Sequence, residues 1–283
     1  MTTDAPQLPT PLPPLPPSQV LPLLATLQQA IAWARPQFVP LWFLTLLFAL
    51  PSGWLEWRDQ QQLAADPAAA GMPWMLSLGV AIVTETVLHA MVAGMGFRRL
   101  AGRPASVTDA FAMPGRELLG LLTIALLFAA IVFLAVGVTG SLYAASPGAL
   151  TAALFAIGVI ATVRLSARFS VAVPALLVER VSGLSAIARS ARLTRGVVLR
   201  CFVLRVVQSG VVMASHLLGQ TLAAGFAGGA SGLVGGFCVA LLLRTLAMAL
   251  LTPLPAVAYL RLRAALGESA PTGLDTIFDP SVA

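Results

Sequence analysis

Between Arg35 and Glu56 the chain carries no charged residue, and two longer stretches, Glu117 to Arg164 and Arg205 to Arg244, are equally bare. A fourth, Asp66 to Arg98, is broken only by Glu85. A helix crossing the hydrocarbon layer needs about 20 apolar residues. The first and fourth stretches each hold one span, and the other two each hold a pair around a turn. One turn is the Ser, Pro and Gly cluster at 140–148, and the other is the glycine-rich 225–236. Six spans are predicted, at 37–55, 73–96, 118–139, 147–172, 204–225 and 233–260. The predicted fold is an all-α membrane protein with six transmembrane helices and amphipathic surface helices on its cytoplasmic face. Residues 1–17 read as a Pro-rich disordered cytoplasmic tail, 18–263 as the membrane domain and 264–283 as a cytoplasmic C-terminal tail.

Composition agrees. Hydrophobic residues make up 58% of the 283 and charged residues 10%, where a soluble chain has about 25% charged. That excludes an ordinary soluble enzyme. All 17 basic residues are arginines. With six spans, fifteen of them fall on the side holding both termini, Arg58 falls on the other, and Arg244 lies inside a span. Such a split predicts cytoplasmic termini and, in a bacterium, an inner-membrane location. The net charge of +6 then faces anionic lipid headgroups rather than nucleic acid. The five tryptophans all lie between Trp33 and Trp74, and three of them, Trp54, Trp57 and Trp74, are expected at the outer interface.

Three segments on the arginine side, opening at Ser18, Ser106 and Ser182, each precede a pair of spans and form a candidate repeat. In the third, Leu184, Ile187, Ala188 and Ala191 share an apolar arc, followed by Gly196 as a stop. Arg189, Arg192 and Arg195 are the candidate contacts to headgroups or to a protein partner.

From Arg164 the chain reads RLSARFSVAVPALLVERVSGLSAIARSARLTRG. This resembles the membrane domain associated with glycerophosphoryl diester phosphodiesterases and its stand-alone bacterial relatives. The matching residues are Arg168, Phe169, Ser170, Pro174, Ala175 and Glu179, then Ser190, Leu193, Thr194 and Gly196. GRPASVTDAF at 102–111 and YLRLR at 259–263 resemble further parts of the pattern. The resemblance spans roughly 75–263 and implies a helical inner-membrane protein. It does not bring the phosphodiesterase chemistry, which resides in a separate soluble barrel that this chain has no room for.

Charges at membrane depth are costly and need partners. Glu85 and Arg244 fall at similar depth in the second and sixth spans, so they are expected to pair. His89 is one turn from Glu85, and His216 lies midway along the fifth span. Glu85, His89, His216 and Arg244 therefore form the candidate intramembrane polar cluster. No phosphate loop, dinucleotide fingerprint or Gly-x-Ser-x-Gly elbow is present, and the residues offer no clear nucleophile or metal set for a membrane enzyme. The reading is a non-catalytic, lipid-engaging or partner-binding module without cofactor. The alternative is a small carrier for a lipid or anionic solute centred on Glu85 and Arg244.

Overall fold

A computed structural model describes residues 21–65, 73–100, 115–225 and 230–268, together with Ser106, Thr108 and Phe111. The described residues are helical, and six helices among them are long and apolar enough to cross a membrane. The predicted tail at 1–17, the Ser18 helix start, most of the segment that opens at Ser106, most of the 102–111 match and most of the C-terminal tail lie outside these residues.

Helix α1 (Leu23–Ala34) leads through a short 3-10 turn, Arg35–Gln37, into α2 (Phe38–Ala65), the first span. Helix α3 (Pro73–Leu100) is the second. The third is α4 (Gly115–Val132), six π-helical residues (Phe133–Val138) and α5 (Thr139–Ala145). The fourth is α6 (Ala149–Phe169). Two short helices follow, α7 (Ala172–Glu179) and α8 (Gly183–Leu193), before the fifth and sixth spans, α9 (Val198–Gly225) and α10 (Ala230–Leu251). Helix α11 (Leu254–Ala265) closes the described chain. Each span packs against its sequence neighbours, and α2 meets α10, so the six form a closed ring.

Small residues set the closest approaches, as expected where lipid gives helices no hydrophobic drive to associate. A Cβ at Gly219 of α9 would sit 2.3 Å from Ala240 Cα of α10. One at Gly158 of α6 would sit 1.8 Å from the carbonyl oxygen of Ala135, inside the π-helical segment. One at Gly183 of α8 would sit 2.6 Å from the Gly120 carbonyl oxygen of α4.

The fifth span starts earlier than the charge pattern indicates, at Val198 rather than 204, which brings Arg200 into the helix and moves Arg205 from its edge to its eighth residue. The sixth breaks at Thr252–Pro253. Helix α10 cannot run on, because Pro253 and Pro255 have no N–H for the carbonyls of Ala249 and Leu251.

The larger buried cluster lies at the arginine-rich end and gathers Leu21, Ala30, Phe97, Leu176, Leu193 and Tyr259 from α1, α3, α7, α8 and α11. Helix α8 is part of this core. Its buried face is Gly183, Ala186, Ser190 and Leu193, while Leu184 is 63% exposed and Ala188 is exposed as well. The apolar arc through Leu184 and Ala188 is thus distinct from the face that packs into the core. Glycine, alanine and serine pack closely here because they are small, a property that hydrophobic periodicity does not register. Ser190 donates to the Arg168 carbonyl at 2.6 Å, satisfying one of the last acceptors of α6. Ser182 occupies the N-cap position, and Gly196 takes left-handed backbone (φ +87°) just past the end of α8. Trp33 of α1 packs against Gly96, where a Cβ would be 1.7 Å from its ring. Trp54 and Trp57 pack against each other at a tilt of 39°, with ring centroids 5.0 Å apart.

Candidate functional site

The predicted four-residue cluster separates into two. Glu85 does not pair with Arg244. Its Oε1 accepts from Arg205 of α9 at 2.7 Å, and Arg244 donates to Glu56 of α2 at 2.5 Å. Glu85 and Arg244 both line one small cavity, but their partners differ because an arginine and a glutamate that bound the charge-free stretches both reach inward. Arg205 stands seven residues into α9, about 10 Å along its axis.

Four side chains build the inner group. Arg205 donates to Glu85 and, through its other terminal nitrogen, to Gln208 Oε1 at 2.9 Å. With its oxygen so engaged, the Gln208 amide nitrogen faces His89 Nε2 at 3.3 Å and the Leu251 carbonyl at 3.4 Å. Leu251 is the carbonyl that Pro255 leaves without a helical donor. His89 Nδ1 lies 2.7 Å from the Glu85 carbonyl, one turn back. That contact needs hydrogen on Nδ1 and leaves Nε2 to accept from Gln208, so the network is consistent with a neutral imidazole.

This group forms the polar wall of a cavity of about 110 Å³ inside the ring. The rest of the wall is largely apolar, with Ile82, Ile124, Phe128, Leu204 and Leu254 among its residues. Ser166, Ser170 and Cys201 line its arginine-rich end. The Glu85 and Arg205 side chains keep 34% and 28% of their surface accessible, so neither is sealed off by the other.

The second group is the Glu56–Arg244 pair, with His216 within electrostatic reach. His216 Nε2 meets Gln220 at 3.0 Å, and its Nδ1 is buried without a hydrogen-bond partner. A cavity of about 30 Å³ separates this group from the inner one, and Ser52, Thr84, Glu85 and Arg244 face it. Space and polar partners there suit one water molecule. Glu85 and Arg244 are thus neighbours across a water-sized gap. No three His, Cys, Asp or Glu side chains converge among the described residues, and His216 belongs to a different group from Glu85 and His89.

Of the three candidate headgroup arginines, Arg192 and Arg195 are exposed. Arg189 is not free for that role. Its Nε donates to both Glu179 oxygens, at 2.9 and 3.0 Å, and its Nη2 to Glu268. These bonds hold the Arg189 guanidinium more firmly protonated than usual, with the Glu268 bond the largest cause. Tyr259 donates to Glu179 at 2.9 Å, and Arg263 donates to Glu268 at 2.9 Å, so α7, α8 and α11 are tied together. The same arginines hold the Glu268 carboxyl below the ordinary range, chiefly through the Arg189 hydrogen bond. Sequence spacing gave no sign of this network, because Glu179 and Glu268 lie 89 residues apart. Comparison with protein-family models, with curated proteins and with solved structures finds no match.

Proposed function

We propose that this multi-pass membrane protein binds an amphipathic lipid in the cavity inside its ring and performs no chemistry of its own. The observation that carries the reading is the cavity wall: an accessible Glu85–Arg205 pair, with Gln208 and His89, set into an otherwise apolar lining. Ligand sites are mostly apolar with a few placed polar groups, and a wall of this kind inside a bilayer matches a molecule with a polar head and a hydrocarbon body. The resemblance to the phosphodiesterase-associated membrane domain supports an inner-membrane module without a barrel. The arginine distribution supports cytoplasmic termini and anionic headgroups at Arg192 and Arg195. Cysteine substitution tests the orientation: Ser146→Cys reacts with an impermeant maleimide in whole cells and Ser185→Cys only after permeabilisation. The reverse pattern overturns it.

The lipid reading is tested on protein extracted in mild detergent, by native mass spectrometry and phosphorus analysis. Wild type is expected to retain lipid in about 1:1 amount, and Arg205→Ala to lose it while still melting cooperatively. Wild type that retains none, and gains no thermal stability from added phospholipid, refutes the reading. The water-sized gap between the two ion pairs favours a second reading, a carrier in which the Glu56–Arg244 group continues the polar line towards the opposite face. Transfer of labelled lipid between leaflets of a proteoliposome, lost in Arg244→Gln, distinguishes a carrier from a static binder.

A further inference from the structure

A second cavity adjoins the first. It is a cleft of about 310 Å³ between α3 and α4, lined by Leu78, Gly79, Ile82, Leu126, Ala129 and Phe133. Ile82 lines both spaces, so the cleft and the polar cavity meet at that side chain. Leu78 precedes Ile82 by one helical turn, so the cleft extends away from the arginine-rich end. A polar group near Glu85 and a chain leading away from that end have the head-to-tail direction of a lipid in the leaflet on the arginine side. Gly79 leaves its wall open: a Cβ added there would meet nothing within 4 Å. The π-helical segment begins at Phe133, on the cleft wall; such irregularities gather at functional sites.

The polar wall also constrains the head. Glu85 and Arg205 together are neutral, and a ligand with net charge would bring an uncompensated charge into a low-dielectric space, which is unfavourable. A ligand carrying both signs avoids this. Arg205 makes two of the five hydrogen bonds its guanidinium can donate. Glu85 Oε2 has no hydrogen-bond partner among the described residues, which leaves it to accept from an N–H group of a ligand.

We infer that the cavity and the cleft together hold one zwitterionic phospholipid with a primary ammonium, its phosphate at Arg205, its ammonium at Glu85 and one acyl chain between α3 and α4. This rests on the lipid-binding reading above and names the class of lipid.

The test is competitive binding of lysophospholipids to the full chain in detergent, followed by native mass spectrometry. The probes are lysophosphatidylethanolamine, lysophosphatidylcholine and lysophosphatidylglycerol of matched chain length. Wild type is expected to prefer the ethanolamine form over the glycerol form by about tenfold, equivalent to ~1.4 kcal/mol. The choline form, which has no N–H for Glu85, should fall between. Glu85→Gln leaves Arg205 uncompensated and should reverse the preference towards the glycerol form. Affinity of wild type should rise with chain length, and Gly79→Leu should flatten that dependence without lowering the melting temperature. Equal binding of the ethanolamine and glycerol forms by wild type overturns the head assignment. Absence of a chain-length dependence in wild type overturns the cleft. Either result, obtained on wild type alone, is independent of whether a variant folds. Failure to bind any of the three overturns the lipid reading itself.

Discussion

Substituting Glu85, Arg205 and Arg244 in pairs tests which arginine holds the intramembrane carboxylate. Removing one partner of a fully buried ion pair costs about 3–5 kcal/mol, and an exposed pair is worth about 0–1 kcal/mol. The Glu85–Arg205 pair lies between these limits. Its contact is short, 2.7 Å, but a third of the carboxylate and over a quarter of the guanidinium side chain remain accessible. Arg205→Gln and Glu85→Gln are each expected to destabilise the protein by about 2–3 kcal/mol. The double variant should lose less than the sum, giving a coupling energy of about 1–2 kcal/mol. Arg244 is already engaged by Glu56 and faces Glu85 only across a water-sized gap. The Glu85→Gln and Arg244→Gln cycle should therefore couple by less than about 0.5 kcal/mol. Reversible unfolding in mixed micelles with a rising fraction of sodium dodecyl sulfate measures both cycles. A Glu85–Arg244 coupling equal to or above that of Glu85–Arg205 refutes the assignment.

Three further outcomes are expected. Gly219→Leu forces a side chain against the Ala240 backbone, 2.3 Å from the Cβ position, and should cost about 3 kcal/mol or more. Gly210→Leu, in the same helix with nothing within 4 Å, should stay within about 0.5 kcal/mol of wild type by the same unfolding assay. Tyr259→Phe removes the donor to Glu179 while Arg189 stays in place, and should lower stability by about 1 kcal/mol. Glu268 has a carboxyl pKa depressed by Arg189 and Arg263, so its contribution is present above the unfolded-state value of about 4.3 and fades as pH falls below it. Melting temperature followed from pH 7 down to 3 should therefore show a decline in wild type that is smaller in Glu268→Gln. Parallel curves would exclude the carboxylate from that decline.

The number of spans was legible because it depends on one quantity, the length of chain without charge. Partner choice depends on azimuth, and the sequence records azimuth poorly. Glu85 and Arg244 line one small cavity, yet Glu85 is joined to α9 and Arg244 to α2. Any charge ends a charge-free stretch, so the charge pattern makes Arg205 the boundary of the fifth span and not a residue deep within it. The apolar residues that precede it, Val197 to Leu204 apart from Arg200, were the available sign that the helix begins earlier. Arg189 shows the opposite failure. It lies on the arginine-rich side as the charge count requires, but two glutamates distant in sequence occupy it.

The proline break and the intramembrane ion pair, separate features in the sequence, belong to one construction. Pro255 leaves the Leu251 carbonyl without a helical donor, and Gln208 supplies one. Using its amide nitrogen there turns its oxygen towards Arg205, which sets one terminal nitrogen of the guanidinium and leaves the other for Glu85. The same nitrogen faces His89, on the helix that carries Glu85. An alanine at position 255 would restore the helical donor and remove the demand that orients Gln208. The effect of Pro255→Ala should therefore appear at Arg205, as a weaker Glu85–Arg205 coupling in the double-variant cycle, although no bond joins residue 255 to either charge. An unchanged coupling energy in that background would show that the pair is positioned by its own helices and owes nothing to the break.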